Sequence, residues 1–170
     1  MPGVMGVLVA LFGWTVAHNM VYTYIQPLTS GVGIALGVDV VLLFFGISAG
    51  ISILLTAVVV DKRLFLTGLI SGALMLLGFL LLSVPAAPNY FFISGIVVWG
   101  LGFGGAPTVL QTALARNTVN LADIAQSFFV TIFNFGVGIG GALGGAISSL
   151  WGVSSLSIGA GVMCVLVFGL

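Results

Sequence analysis

Long apolar runs separated by short polar segments dominate the sequence. They lie at about residues 4–26, 40–60, 64–84, 90–114, 124–147 and 153–170. These runs are close to the roughly 20 residues that a helix needs to cross a bilayer. A transmembrane β-strand needs only about ten residues of alternating hydrophobicity, so continuous runs favour helices. The pattern predicts an all-α membrane protein with six transmembrane helices.

The composition agrees with a lipid environment. Charged residues make up 4% of the chain and apolar residues 61%, whereas a soluble domain has about 25% charged residues. We therefore expect the lipid bilayer to surround the protein, and the lack of a basic surface argues against nucleic acid as a partner. Cys164 is the one cysteine, which excludes an intrachain disulfide and a cysteine-rich metal cluster. Neither a metal nor a cofactor is expected.

The charged residues lie between the runs or at their ends. Asp61, Lys62 and Arg63 follow the second run, and Arg116 follows the fourth. If every run crosses the membrane, both segments lie on the same side, and the opposite loops contain no Lys or Arg. The positive-inside bias then makes these two segments cytoplasmic. An even number of spans also predicts that both termini are cytoplasmic.

The two halves of the chain share a pattern. Each half has a Trp–Gln pair twelve residues apart and then an Asp-x4-Phe-Phe motif: Trp14, Gln26 and Asp39 in one half, Trp99, Gln111 and Asp123 in the other. Three runs separate the copies, which gives them opposite membrane orientations. This predicts a 3+3 inverted repeat, with residues 1–85 and 86–170 as two three-helix repeats of one bundle. Chance among common membrane residues is the alternative, and either Asp also suits a helix N-cap.

The second half resembles a known family. The stretches Trp99 to Gln111, Asp123-Ile-Ala-Gln-Ser-Phe-Phe and Asn134 to Gly145 resemble helices ten and eleven of the major facilitator superfamily. They are most similar to the bacterial drug, sugar and nucleoside efflux branch, the arabinose-efflux-like permeases. In the first half, Tyr22-x-Tyr24-x-x-Pro27 resembles helix seven of that branch, and Gly46 to Arg63 resembles helix eight with its following loop.

The resemblance implies a C-terminal six-helix half of a twelve-helix permease. It implies a proton-driven exporter, an antiporter, in the inner (plasma) membrane, and a matching N-terminal half that this chain lacks. The acidic residues that carry protons would lie mostly in that other half. Since no Asp or Glu lies within a run here, proton coupling is assigned to no acidic residue of this chain.

Candidate residues for a substrate path lie on the first and fourth runs. Trp14, His18, Tyr22 and Gln26 follow i, i+4 spacing and would form one stripe on a helix. His18 can change charge near neutral pH. The alternative is a His satisfied by a neighbouring helix, with the tyrosines in an interfacial belt. The resemblance adds Gln111 and Asn134 beside the cavity, with Trp99 and Phe103 as an apolar wall. For the amides, bonding between helices is the alternative.

Small residues predict close helix packing. Gly136, Gly140 and Gly144 are spaced by four, which lets helix backbones approach. These faces would also slide if two halves rocked against each other. Gly104 and Pro107 predict a bend in the fourth span, where a gate would fit, because Pro removes a helical hydrogen bond.

The sequence therefore predicts one half of a secondary active transporter rather than an enzyme. No Ser/His/Asp set, paired carboxylate or metal-ligand spacing occurs in it. The expected activity is proton-coupled efflux of a small organic solute by alternating access, together with the missing half or a second copy of the chain. The alternative is a stand-alone six-helix membrane protein that acts as a homodimer or scaffold subunit. A polar cavity face on spans one and four would favour the transporter.

Overall fold

The computed structural model describes residues 2–31, 33–34, 36–84, 88–118 and 121–168. Every regular element in these ranges is an α-helix, which confirms the predicted all-α fold. The elements are α1 (Pro2–Tyr22), α2 (Ile25–Gly31), α3 (Val38–Leu82), α4 (Asn89–Gly104), α5 (Ala106–Asn117), α6 (Ala122–Trp151) and α7 (Ser155–Phe168).

Several helices suit a membrane. Within the described ranges, four helical stretches are long and apolar enough to cross one: Gly3–Tyr22, Val38–Leu82, Asn89–Asn117 and Ala122–Trp151. Ser155–Val167 is a shorter apolar helix. The sequence predicts six spans, and the difference in number arises partly because α3 includes two of the predicted runs.

The chain reverses within α3. Arg63, with φ −139° and ψ 45°, departs from helical geometry inside this 45-residue element. Residues 38–62 run parallel to α4, since Gly100 contacts Ser48 and Gly104 contacts Ala49. Residues 64–82 run antiparallel to α4, since Gly95 contacts Leu82 and Trp99 contacts Gly78. The two segments are therefore antiparallel. The sequence places Asp61, Lys62 and Arg63 in a polar segment between two runs. The departure from helical geometry is confined to Arg63, since Asp61 and Lys62 remain helical.

The two repeated aspartates do not cap their helices. The N-caps of α3 and α6 are Gly37 and Leu121, and neither makes a side-chain capping bond. Asp39 and Asp123 lie one residue into the first turn of their helices. At that position a carboxylate still interacts favourably with the positive end of the helix dipole.

Helices α1 and α4–α5 form the centre of the bundle. The most apolar stretches of Gly3–Tyr22 and Asn89–Asn117 are 56% and 50% buried, against 22% and 17% for α3 and α6. Helices α6 and α7 pack on α1, while both segments of α3 pack on α4. The central helices therefore contact most of the neighbouring elements.

Glycines set the distance between the packed helices. A Cβ atom added at Gly140 of α6 would lie 2.8 Å from the carbonyl oxygen of Val16, and one at Gly144 would lie 2.8 Å from that of Met20. A Cβ at Gly102 of α4 would lie 2.8 Å from the Cα of Met75 in α3. Helix backbones thus touch directly at these positions, which is the common packing of membrane helices.

We expect Gly102→Ala to destabilise the bundle by about 1–3 kcal/mol, because the added methyl group forces α3 and α4 apart. Gly138→Ala is the matched control, since a Cβ at Gly138 of α6 meets nothing within 4 Å. Thermal unfolding midpoints in detergent micelles measure the effect. Equal midpoints for the two variants would contradict close backbone contact at Gly102.

Candidate functional site

Four aromatic rings from three helices surround the imidazole ring of His18 of α1. Its imidazole stacks on Phe103 with 3.5 Å between ring centroids and 5° between planes. The ring of Trp99 lies 5.2 Å away and that of Tyr22 5.0 Å away. Phe45 of α3 completes the group, 5.7 Å from His18 and 4.6 Å from Trp99. We call these five residues the aromatic cluster.

The aromatic cluster is buried at one end and open at the other. Trp99 is 1% exposed and His18 7% exposed, whereas Tyr22 is 40% exposed. Phe45 and Phe103 are intermediate. Phe79, in the second segment of α3, supports Trp99 from behind at 5.6 Å. The cluster therefore presents an aromatic surface that is anchored in the core of the bundle.

Two nitrogen atoms inside the aromatic cluster have no hydrogen-bond partner among the residues that the structure describes. They are Nδ1 of His18 and Nε1 of Trp99, and both are buried. An indole N–H can only donate, while an imidazole nitrogen donates or accepts according to its tautomer. Since most buried polar atoms in proteins are paired, these two atoms require an explanation. Chemically, the cluster can stack on a flat apolar group and has hydrogen-bonding atoms behind the rings.

Four residues of the aromatic cluster are candidates predicted from the sequence, but the contact between the two pairs is not predicted. The i, i+4 stripe placed His18 beside Tyr22, and the resemblance placed Trp99 near Phe103. The structure brings the two pairs together. Phe45 was missed as a site residue, although it lies in the Asp-x4-Phe-Phe motif that repeats along the chain.

The predicted stripe on α1 ends at Tyr22. Gln26 lies on the short helix α2 and is exposed. The chain turns at Thr23 and Tyr24, where the Tyr24 amide donates to the Val21 carbonyl at 3.1 Å. Pro27 has no N–H to donate to the Thr23 carbonyl, so α1 cannot continue as a regular helix here.

Trp14 lies apart from the aromatic cluster. It is buried and lines a different cavity of about 270 Å³ between α1, the second segment of α3 and α5. Leu64, Phe65 and Leu110 are among the apolar side chains around it. Two of the four stripe residues, Trp14 and Gln26, are therefore outside the cluster.

Gln111 of α5 lies beside two cavities on the α6 side. One, of about 210 Å³, is also lined by Pro107, Phe129 and Phe133. The other, of about 200 Å³, also includes Asp123 and Gln126 and has a more polar lining. The exposed Gln111 side chain is therefore placed to contact a small molecule held between α5 and α6.

Two further amides, the candidate Asn134 and the buried Asn19, bond within their own helices. The Asn134 side chain donates to the Val130 carbonyl at 2.8 Å on α6. Asn19, which is buried, donates to the Thr15 carbonyl at 2.9 Å on α1. Among the described residues neither amide donates to a second helix, so the interhelical bond that was the alternative for Asn134 is not seen.

The fourth span is broken where the sequence predicts a bend. Helix α4 ends at Gly104, and α5 begins at Ala106 with Pro107 in its first turn. Phe103 and Gln111 consequently lie on opposite sides of the break. The direction of α5 relative to α4 decides how far the aromatic cluster is from the Gln111 cavities.

The charged segments meet at one end of the bundle. The Arg116 Nη2 atom donates to the Asp61 main-chain oxygen at 2.7 Å and lies 3.8 Å from the Asp61 Oδ1 atom. Both side chains are exposed, as are Lys62 and Arg63. The end of α5 and the reversal of α3 are therefore neighbours.

The described residues contain no group of three or more His, Cys, Asp and Glu side chains that would hold a metal ion. No protein-family model matches the chain. The major facilitator resemblance therefore remains a prediction made from the residues quoted above.

Proposed function

We propose that this chain is one half of a secondary active transporter of the major facilitator type, which exports a small organic solute in exchange for protons. The aromatic cluster is the observation that carries the proposal. Transporters of this construction bind solute where their repeats meet, near the middle of the bilayer. Here the two central helices, α1 and α4, contribute four of the five rings of a half-open aromatic surface.

The packing pattern supports two inverted three-helix repeats, residues 1–85 and 86–170. In such a repeat α1 corresponds to α4–α5, residues 38–62 to α6 and residues 64–82 to α7. Helix α1 packs on α6 and α7, and α4 packs on both segments of α3, so the central helices have equivalent neighbours. The C-terminal part of each third helix also contacts the central helix of the other repeat: Val167 of α7 contacts Gly13 of α1, and Leu82 of α3 contacts Gly95 of α4.

The shape and chemistry of the face favour a flat, amphipathic solute. The rings of Phe45, Phe103 and Tyr22 offer stacking surface, because aromatic groups prefer offset or edge-to-face contact with other rings. The exposed amide of Gln111 offers hydrogen bonds beyond the break in the fourth span. A few convergent polar groups on an apolar wall are typical of small-molecule sites.

A second six-helix unit would complete the site. The cluster is open at Tyr22, and a site that encloses a solute needs an opposing wall. That wall would come from the missing N-terminal half or from a second copy of the chain. Asp39, Asp61 and Asp123 are all exposed near helix ends or the α3 reversal. A proton-carrying carboxylate would thus come from the partner, with His18 as the titratable candidate on this half.

We expect Tyr22→Ala to reduce efflux of ethidium, a flat aromatic cation, by about three- to tenfold, because one stacking contact is worth roughly 0.5–1.5 kcal/mol. Initial efflux rates from cells that produce the intact protein measure the effect. Tyr90→Ala is the control, since Tyr90 is also exposed but lies in the first turn of α4, away from the cluster. Equal rates for the two variants would contradict a path along Tyr22. Absence of protein-dependent efflux would contradict export of flat cations.

For His18, the replacements His18→Ala and His18→Phe separate ring packing from hydrogen bonding. His18→Phe keeps a ring against Phe103 and removes both nitrogen atoms, so we expect normal protein levels and a clear loss of solute-driven proton movement. In everted membrane vesicles added solute enters the lumen as protons leave it, so a rise of the pH inside energised vesicles reports that movement. Unchanged proton movement and efflux in both variants, at normal expression, would remove His18 from the path.

The orientation can be tested with single cysteines in a Cys164→Ser background, because Cys164 is buried and free. A membrane-impermeant maleimide should label Tyr90→Cys in intact cells. It should label Lys62→Cys and Arg116→Cys only after the membrane is opened, since the positive-inside bias places both charged segments in the cytoplasm. Labelling of Lys62→Cys in intact cells would reverse the assigned topology.

A further inference from the structure

A serine from α3 occupies the break in the fourth span. In an uninterrupted helix the Gly105 N–H would donate to the Leu101 carbonyl. Instead, the Ser52 hydroxyl donates to the Leu101 carbonyl oxygen at 2.6 Å and accepts the Gly105 N–H at 3.0 Å. One side chain thus stands between the two atoms that a regular helix would join.

Close contact between α3 and α4 brings Ser52 into this position. A Cβ atom at Gly104 would lie 2.7 Å from the Cα of Ala49, and one at Gly105 would lie 2.8 Å from the Cβ of Thr56. Ser52 itself is only 5% exposed. Since water has little access to this hydroxyl, its bonds to α4 have few competitors.

Pro107 weakens the same region by a different route. Proline has no N–H, so the carbonyl of Phe103 loses its helical partner and faces the Gly105 N–H instead. One regular bond is therefore lost to Pro107 and another is replaced by Ser52. A side chain inserted into the hydrogen-bond ladder is a known cause of helix kinks.

We propose that Ser52 is a positioning residue, whose hydroxyl keeps the fourth span broken at Gly105 and so sets the direction of α5. The position of Gln111 relative to Phe103 follows from that direction. When residues 38–62 move away from α4, the Leu101 carbonyl and the Gly105 N–H are free to bond each other, and the bend decreases to the one that Pro107 imposes. Separation of α3 from α4 is thereby coupled to the bend between α4 and α5. The fourth span then has two arrangements, one more bent and one less bent.

Ser48 shows that proximity alone does not produce such a bridge. It lies one turn before Ser52 on the same buried face of α3, at 3% exposure. Its hydroxyl donates to the Phe45 carbonyl at 2.8 Å, within its own helix. Ser48→Ala is therefore a matched control that removes a buried hydroxyl without touching the break.

The local bond is tested by solid-state NMR of the full chain in lipid bilayers, with ¹³C-carbonyl leucine and ¹⁵N-glycine. We expect Ser52→Ala to shift both the Leu101 carbonyl signal and the Gly105 amide signal. Ser52→Thr, which keeps the hydroxyl, should retain the wild-type signals, as should Ser48→Ala. Should Ser52→Ala fail to fold, Ser52→Cys serves in its place, because a thiol is a much weaker donor and acceptor. Wild-type signals in the variant without the hydroxyl would overturn the proposal.

The positioning role is tested by the reactivity of a thiol introduced as Gln111→Cys, with Cys164→Ser. Thiol reaction rates depend on access, so a change in the direction of α5 should alter the maleimide rate several-fold in Ser52→Ala and leave Ser48→Ala unchanged. An unaltered rate would overturn the proposed control of α5. Neither measurement requires transport, so the outcome is independent of the efflux experiments.

Discussion

Direct contact between helix backbones, made possible by glycine, is the interaction on which the rest of this bundle depends. Lipid tails are as apolar as leucine, so burial of apolar side chains does little to hold helices together in a membrane, and close packing must do it instead. A Cβ atom at Gly78 would lie 2.6 Å from the main-chain nitrogen of Trp99. Gly140 and Gly144 meet α1 at similarly short distances. The central helices therefore have fixed neighbours and fixed registers.

The same contacts place the polar and aromatic groups. Gly78 leaves space beside the backbone of Trp99, and the indole ring packs between Phe79 and His18. Glycines at the break in the fourth span let Ser52 reach main-chain atoms of α4 that a larger residue would shield. Helix packing therefore determines the geometry of the site, because small residues on one helix decide which side chains reach the next helix.

Periodicity predicted the faces of the helices but not their partners. Spacing predicted the apolar runs and the proximity of His18 and Tyr22. The missing N–H of Pro107 predicted the bend in the fourth span. Gln26 was misplaced because Pro27 ends the regular hydrogen bonding of α1. Asn134 bonds a carbonyl of its own helix, a choice that depends on rotamer rather than on spacing. Phe45 and Ser52 of α3 contact residues on other helices. The residue pattern of one helix does not specify which neighbouring helix packs against each of its faces.

The unpaired nitrogen atoms of the aromatic cluster are the feature that packing leaves unexplained. Elsewhere in the described chain, buried polar side chains such as Asn19, Thr29 and Ser52 find carbonyl partners. Ser157 on α7 also has an unpaired hydroxyl, but it stands alone. His18 and Trp99 leave two unpaired nitrogens in adjacent rings, and each such group costs about 1–3 kcal/mol. Both side chains lie at the buried end of the cluster, 1% exposed at Trp99 and 7% at His18, and replacement by apolar rings would avoid that cost. Packing alone therefore does not account for the two nitrogen atoms.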